Sequence, residues 1–132
     1  MKNVKGIHHV CLKACGEAEF LRVVAFYRDT LGLSVAREWG SAPDNLGVML
    51  DTGAGLIEIF SNAPDTLSMG AIRHIALEVS DTDVVVCAVR ELGYEIIMEP
   101  TDIVIPSEVP YPARIAFCKG PLGEEIEFFE CK

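Results

Sequence analysis

No stretch of this chain stays apolar for the roughly 18 to 20 residues that a membrane-spanning helix needs. The opening MKNVKGIHHV also lacks the long apolar run of a secretory signal. A soluble, unexported protein of the cytoplasm is therefore expected. Cations are scarce: 11 Lys and Arg against 20 Asp and Glu leave a formal charge of -9. Such a field repels phosphate backbones, so a nucleic-acid partner is not expected. Cysteine occurs as an odd set of five with no C-x-x-C pair, which argues against both a disulfide framework and a zinc ribbon. What remains is 132 residues, half of them hydrophobic, enough for one compact domain or two small halves that share a core.

The chain repeats itself. Ile7 to Lys13 alternates as a strand does, and the apolar spacing of Phe20, Val23, Val24, Tyr27 and Leu31 is helical. Gly32 stands where a left-handed glycine closes a helix, which predicts a helix over about Glu17 to Leu31. Short strands are expected around Leu33 to Glu38, Gly47 to Leu50 and Leu56 to Phe60, with a turn at Asp51-Thr52-Gly53. The second half follows the same plan. A strand over Ile72 to Val79 leads to a cap at Asp81 and a helix with Val85, Ala88, Val89 and Leu92 on one face, closed by Gly93. Strands near Tyr94 to Met98, Arg114 to Phe117 and Glu125 to Phe129 complete it.

Residue by residue, Ile7-His8-His9-Val10-Cys11-Leu12 matches Ile72-Arg73-His74-Ile75-Ala76-Leu77, and Leu56-Ile57-Glu58-Ile59-Phe60 matches Glu125-Ile126-Glu127-Phe128-Phe129. The spacings put four extra residues near the first helix start and eight extra residues in the second half. The eight are assigned to a loop over the proline-rich segment Pro100 to Pro112, because Pro106, Pro110 and Pro112 forbid a central strand. Residues 1-62 and 70-132 are the two expected modules, and Ser61 to Gly70 is the linker. A sheet with one helix covers only one of its faces, so the two sheets are expected to close around a cleft. The fold class is α+β.

Four residues stand out by this symmetry: His9, Glu58, His74 and Glu127. Glu58 and Glu127 sit in strands that are otherwise apolar, where an ionised carboxylate is costly unless a positive charge meets it. Two imidazoles and two carboxylates form a plausible ligand set for one divalent ion, Zn, Ni, Co, Mn or Fe. Any one of them alone is better read as a core histidine or a solvent-facing glutamate; the repeat-equivalence of all four favours a metal. His8 alternates to the opposite face from His9 and is expected to be structural or at the surface. Cys11 shares the His9 face and is read mainly as a small hydrophobe. Gly120-Pro121-Leu122-Gly123 has no following lysine or helix, so it is a turn and not a phosphate loop.

The chain resembles the vicinal-oxygen-chelate superfamily, which includes lactoylglutathione lyase (glyoxalase I). The resemblance is carried by His9-Val10, Phe26-Tyr27-Arg28-Asp29-Thr30-Leu31-Gly32-Leu33, Leu56 to Phe60, His74 to Val79 and Gly120 to Phe128. It implies paired βαβββ modules around a metal-containing cleft. The order His, Glu, His, Glu is most similar to bacterial lactoylglutathione lyases, although Gly120 to Gly123 departs from the commoner D-P-x-G turn. The resemblance further implies a homodimer and a lyase or isomerase that moves a proton between adjacent carbons of a small oxo or thiol-adduct substrate. Glu127 or Glu58 would be the base. Arg22, Arg37 and Arg114 are candidates to meet substrate carboxylates. The alternatives are a non-catalytic binder of a metal or small molecule and, less favoured because Glu58 adds an anionic ligand, an iron dioxygenase.

Overall fold

The computed structural model describes residues 7-67 and 73-132. Two compact units, Met1–Leu67 and Ser68–Lys132, make up the chain. In the first, β1 (His9–Lys13) is followed by helix α1 (Gly16–Ala25), a π-helical turn (Phe26–Thr30), and strands β2 (Ser34–Ser41), β3 (Asn45–Asp51) and β4 (Leu56–Phe60). The second contains β5 (His74–Glu78), α2 (Thr82–Glu91), β6 (Ile96–Ile105), β7 (Tyr111–Lys119) and β8 (Glu125–Cys131). Each unit is thus strand, helix and three strands, the expected α+β module.

Both sheets have the same topology, β1-β4-β3-β2 and β5-β8-β7-β6. The first and last strands of each unit pair in parallel, and the remaining pairs are antiparallel. A parallel neighbour requires a crossover, and the helix supplies it. In unit one Phe20, Val23, Val24 and Tyr27 are buried together with Val48, Leu50, Ile57 and Ile59, so one sheet face meets the helix. In unit two Val86 and Val89 of α2 are buried with Ala116, Cys118, Ile126 and Phe128. Leu92, expected on the buried face of the second helix, is exposed. Burial pushes the Cys118 thiol up to about 12, with Glu124 adding to the effect. That thiol is an inert packing group.

Three further sequence expectations need correction. The first helix does not run uninterrupted: at Phe26 it widens into a π turn, in which the Leu31 N–H donates to the Phe26 carbonyl five residues back (3.1 Å). The four extra residues of the first half lie in this longer helical segment, ahead of Gly32, and not at the helix start. Gly32 and Gly93 both adopt positive φ, 77° and 86°, as helix-closing positions require. The third correction concerns Pro100 to Pro112, which is no long loop. It is mostly strand, with β6 reaching Ile105 and β7 starting at Tyr111. Pro100 is tolerated because β6 is an edge strand whose register slips between Met98 and Thr101. Pro112 lies one residue beyond the paired run of β7 and β8.

The start of α2 is held by the sheet. Asp81 accepts from the Val84 N–H (3.0 Å), the N-cap expected from sequence. Buried Thr82 donates from its N–H to Glu130 (2.9 Å) and from its hydroxyl to the Arg114 carbonyl (3.2 Å). Lys132, through a 2.8 Å contact, and the Thr82 N–H hold the Glu130 carboxyl down to about 2 from its ordinary 4.5. A depressed carboxyl stabilises the fold above its ordinary value and loses that contribution as pH falls through the folded value. Glu130→Gln is therefore expected to be less stable than the parent near neutral pH, with the gap narrowing as pH falls from about 4.5 towards 2. Urea midpoints of both proteins across that range check it; a gap that stays constant would contradict the assignment.

Candidate metal centre

The parallel strand pairs place each histidine beside its glutamate. His9 lies opposite Leu56 and Cys11 opposite Glu58. In unit two His74 lies opposite Glu125 and Ala76 opposite Glu127. Each glutamate is thus one same-face step along the neighbouring strand from the position facing its histidine, within reach of a tilted imidazole. The His9 Nε2 sits 3.5 Å from a Glu58 carboxylate oxygen, and the His74 Nε2 3.2 Å from one of Glu127. The two glutamate side chains are only 11% and 12% exposed, whereas the two imidazoles are 37% and 41% exposed. The carboxylates sit low in the sheet face and the rings stand over them.

The donor chemistry of each pair suits a divalent cation. Two ligand atoms each about 2.1 Å from one ion lie about 3.0 Å apart at a right angle and about 3.4 Å apart at the tetrahedral angle. The 3.2 Å separation of His74 and Glu127 falls within that span, and the 3.5 Å separation of His9 and Glu58 lies just beyond it. Among the described residues no unit gathers three or more His, Cys, Asp or Glu side chains into one cluster. Each supplies a pair.

The surroundings of the two pairs differ. Cys11 and Met49 flank Glu58 across the sheet, and Arg37 stands beyond Met49. Burial and then the charge of Glu58 push the Cys11 thiol up, while Lys13 pulls it back. Cys11 is therefore a neutral thiol, and its Sγ lies 3.9 Å from the Leu12 carbonyl. Around Glu127 the corresponding positions hold Ala76 and Phe117, and the Phe117 ring meets His74 edge-on at 5.3 Å.

His8 lies at the surface, as expected, but it is not turned away from His9. It lies just ahead of β1, so strand alternation does not govern it, and its carbonyl accepts from the Leu56 N–H (3.0 Å). Its ring turns towards His9, with the two Nδ1 atoms 2.9 Å apart and the rings edge-to-face. With Nδ1 engaged there, His9 presents Nε2 to Glu58. The H-H doublet was the available signal, but only the point where the strand begins reveals its use. Of the three arginines considered from sequence, Arg22 pairs with Glu19 (3.6 Å), and Arg114 is held by Asp83 (2.7 Å) and Asp102 (3.2 Å). Arg37 has no carboxylate within ion-pair distance among the described residues.

A family profile, the Glyoxalase/Bleomycin resistance protein/Dioxygenase superfamily, matches residues 6–128. Among solved structures the chain is similar to a glyoxalase family protein from Enterococcus faecalis, with 26% identity, TM-score 0.66, and coverage of 96% of this chain and 98% of that one. It is also similar to TnmS3, an antibiotic-binding protein from Streptomyces sp. CB03234, at 16% identity and TM-score 0.72 over the whole of both chains. The trypanothione-dependent glyoxalase I of Leishmania major shares 24% identity at TM-score 0.70, over 96% of this chain and 87% of that one. The last two likenesses concern the fold alone. No curated protein matches significantly.

Because the His9 Nε2 faces a carboxylate that can only accept, His9 in the metal-free protein is expected to carry its proton on Nε2 and to accept at Nδ1 from His8. Nitrogen-15 correlation spectra of the imidazoles at mildly alkaline pH are expected to show this form, and Glu58→Ala should weaken the preference. A proton found on Nδ1 of the parent would contradict the assignment.

Proposed function

This chain belongs to the Glyoxalase/Bleomycin resistance protein/Dioxygenase superfamily, and on that premise we propose that it is a metal-dependent lyase or isomerase of the glyoxalase type. Its ligands are His9, Glu58, His74 and Glu127, and one divalent ion, Zn, Ni, Co, Mn or Fe, is shared by the two His–Glu pairs. The observation that carries this reading is the repeated placement of an imidazole nitrogen 3.5 and 3.2 Å from a nearly buried carboxylate. Such an ion supplies electrostatic stabilisation to charge that develops on adjacent substrate oxygens.

The chain's own contribution is to hold the substrate and move the proton. Of the two carboxylates, Glu58 has the Cys11 thiol as its cross-strand neighbour. Glu127 lies between Ala76 and Phe117, and among the described residues no side-chain hydrogen bond besides its His74 contact engages it. Its free oxygen is the better placed to take a proton from one carbon of a small oxo or thiol-adduct substrate and return it to the next. His74, packed against Phe117, keeps its ring edge towards the carboxylate while this happens.

A second reading is a non-catalytic small-molecule binder. It is favoured by the aromatic pair Trp39 and Phe60 on the Glu58 face. We further place the protein in the cytoplasm as a homodimer. The five free thiols suit a reducing compartment, and no helix among the described residues is long and apolar enough to cross a membrane.

Chelator-free protein is expected to bind a divalent ion stoichiometrically, and absence of binding with Ni, Co, Zn and Mn alike would overturn the metal reading. Glu127→Gln should lower turnover about a hundredfold or more while metal occupancy changes far less, because the amide keeps an oxygen ligand. Parallel loss of both would reduce Glu127 to a ligand. A dimer mass at micromolar concentration checks the assembly. If the ligands are shared between chains, mixing inactive His9→Ala and His74→Ala proteins restores some activity.

A further inference from the structure

We propose that the Glu58-bearing face of the first sheet is a binding site for a small anionic molecule with a flat, conjugated portion. Trp39 and Phe60 would hold the flat portion, and Arg37 and Lys13 the negative charge. The inference extends the small-molecule reading of this face and does not require the metal.

The register sets the site out in two rows. Cys11, Glu58, Met49 and Arg37 stand abreast across β1, β4, β3 and β2, and the next same-face row holds Lys13, Phe60, Gly47 and Trp39. Rows on one face are about 6.6 Å apart and neighbouring strands about 4.8 Å. A molecule resting on the second row therefore reaches Glu58 across one side-chain width. Gly47 makes the shelf possible: the Trp39 indole lies over it, and a Cβ at that position would collide with the ring. The indole meets Phe60 edge-on at 5.7 Å, leaving Trp39 39% exposed. A large aromatic surface half open to water, beside a second aromatic ring, is a stacking platform.

Charge marks the same face. Of the eleven cations, Lys2 and Lys5 lie outside the described residues. Six of the other nine are in ion pairs with neighbouring carboxylates. Three have no such partner among the described residues: Lys13, Arg37 and Arg73. In a chain of charge -9, most cations are neutralised locally, and two of these three exceptions flank the aromatic shelf. The second unit lacks this arrangement, with Glu78 and Thr101 where the first has Lys13 and Trp39. An anion is therefore selected by the first sheet.

Trp39 is the sole tryptophan of the chain, so intrinsic fluorescence reads this shelf directly. The probe is phenylglyoxylate, which joins a conjugated ring to a carboxylate; pyruvate lacks the ring and acetophenone lacks the charge. With EDTA-treated protein, and free N-acetyltryptophanamide as the absorbance control, phenylglyoxylate should quench Trp39 saturably. The other two should bind about fivefold more weakly or worse. Calorimetry should find phenylglyoxylate binding weakened by a similar factor in Arg37→Gln and in Trp39→Ala, both changes at an exposed edge strand. Lack of saturable quenching overturns the proposal. So does binding of all three probes within roughly twofold of one another, or full affinity in either variant. Failure of the metal reading registers separately, as missing metal stoichiometry, because these measurements are made without metal.

Discussion

Parallel pairing of the first and last strands of each unit is the constraint on which the rest depends. It forces a helix between the strands, because the chain must travel back before it can run in the same direction again. That helix covers one face, and the histidine–glutamate pairs stand on the other. The same pairing sets the register that lifts an imidazole over a carboxylate, at His9 and Glu58 and again at His74 and Glu127. A slip of one residue in either parallel pair would turn one partner towards the helix and abolish the juxtaposition. Backbone bonds pin the first pairing at both ends, from the Leu56 N–H to the His8 carbonyl and from the Ala14 N–H to the Phe60 carbonyl.

Much of this is legible in the residues themselves. The repeated Ile-x-His and Ile-Glu-x-Phe stretches carry strand alternation, so the shared face of Glu58 and Phe60 follows from sequence alone. Gly32, Gly93 and Asp81 mark helix ends by conformational and capping requirements that only a few residue types meet. The errors share a cause, which is that local rules do not know a segment's neighbours. Proline excludes a central strand but not an edge strand with a slipped register, and nothing local announces which strand lies at the edge. Likewise His8 would alternate away from His9 only if the strand already included it. The free state of Arg37, against the paired states of Arg22 and Arg114, is a matter of tertiary neighbours that no spacing encodes.

The two units share the histidine–glutamate pair and differ around it. In the first, sulfur, cationic and aromatic side chains crowd the carboxylate; in the second, alanine and phenylalanine do. This is what a duplicated module permits. The placement of each histidine beside its glutamate follows from the backbone register, while neighbouring side chains on the same rows are free to differ because they bear no part of that register. One unit can specialise in holding a molecule and the other in leaving a carboxylate unencumbered.

The slipped register at Pro100 reaches beyond the course of a single strand. Strand β6 runs ten residues along the margin of its sheet, with Ile97, Val104 and Ile105 exposed. A long, regular, apolar margin is a template on which another chain can add a strand, and from there assemble into fibres. Pro100 removes one amide proton from that margin, and the irregularity around it breaks the even spacing of those that remain. The proline that misleads a local reading of the segment thus also leaves that margin a poorer template for an added strand.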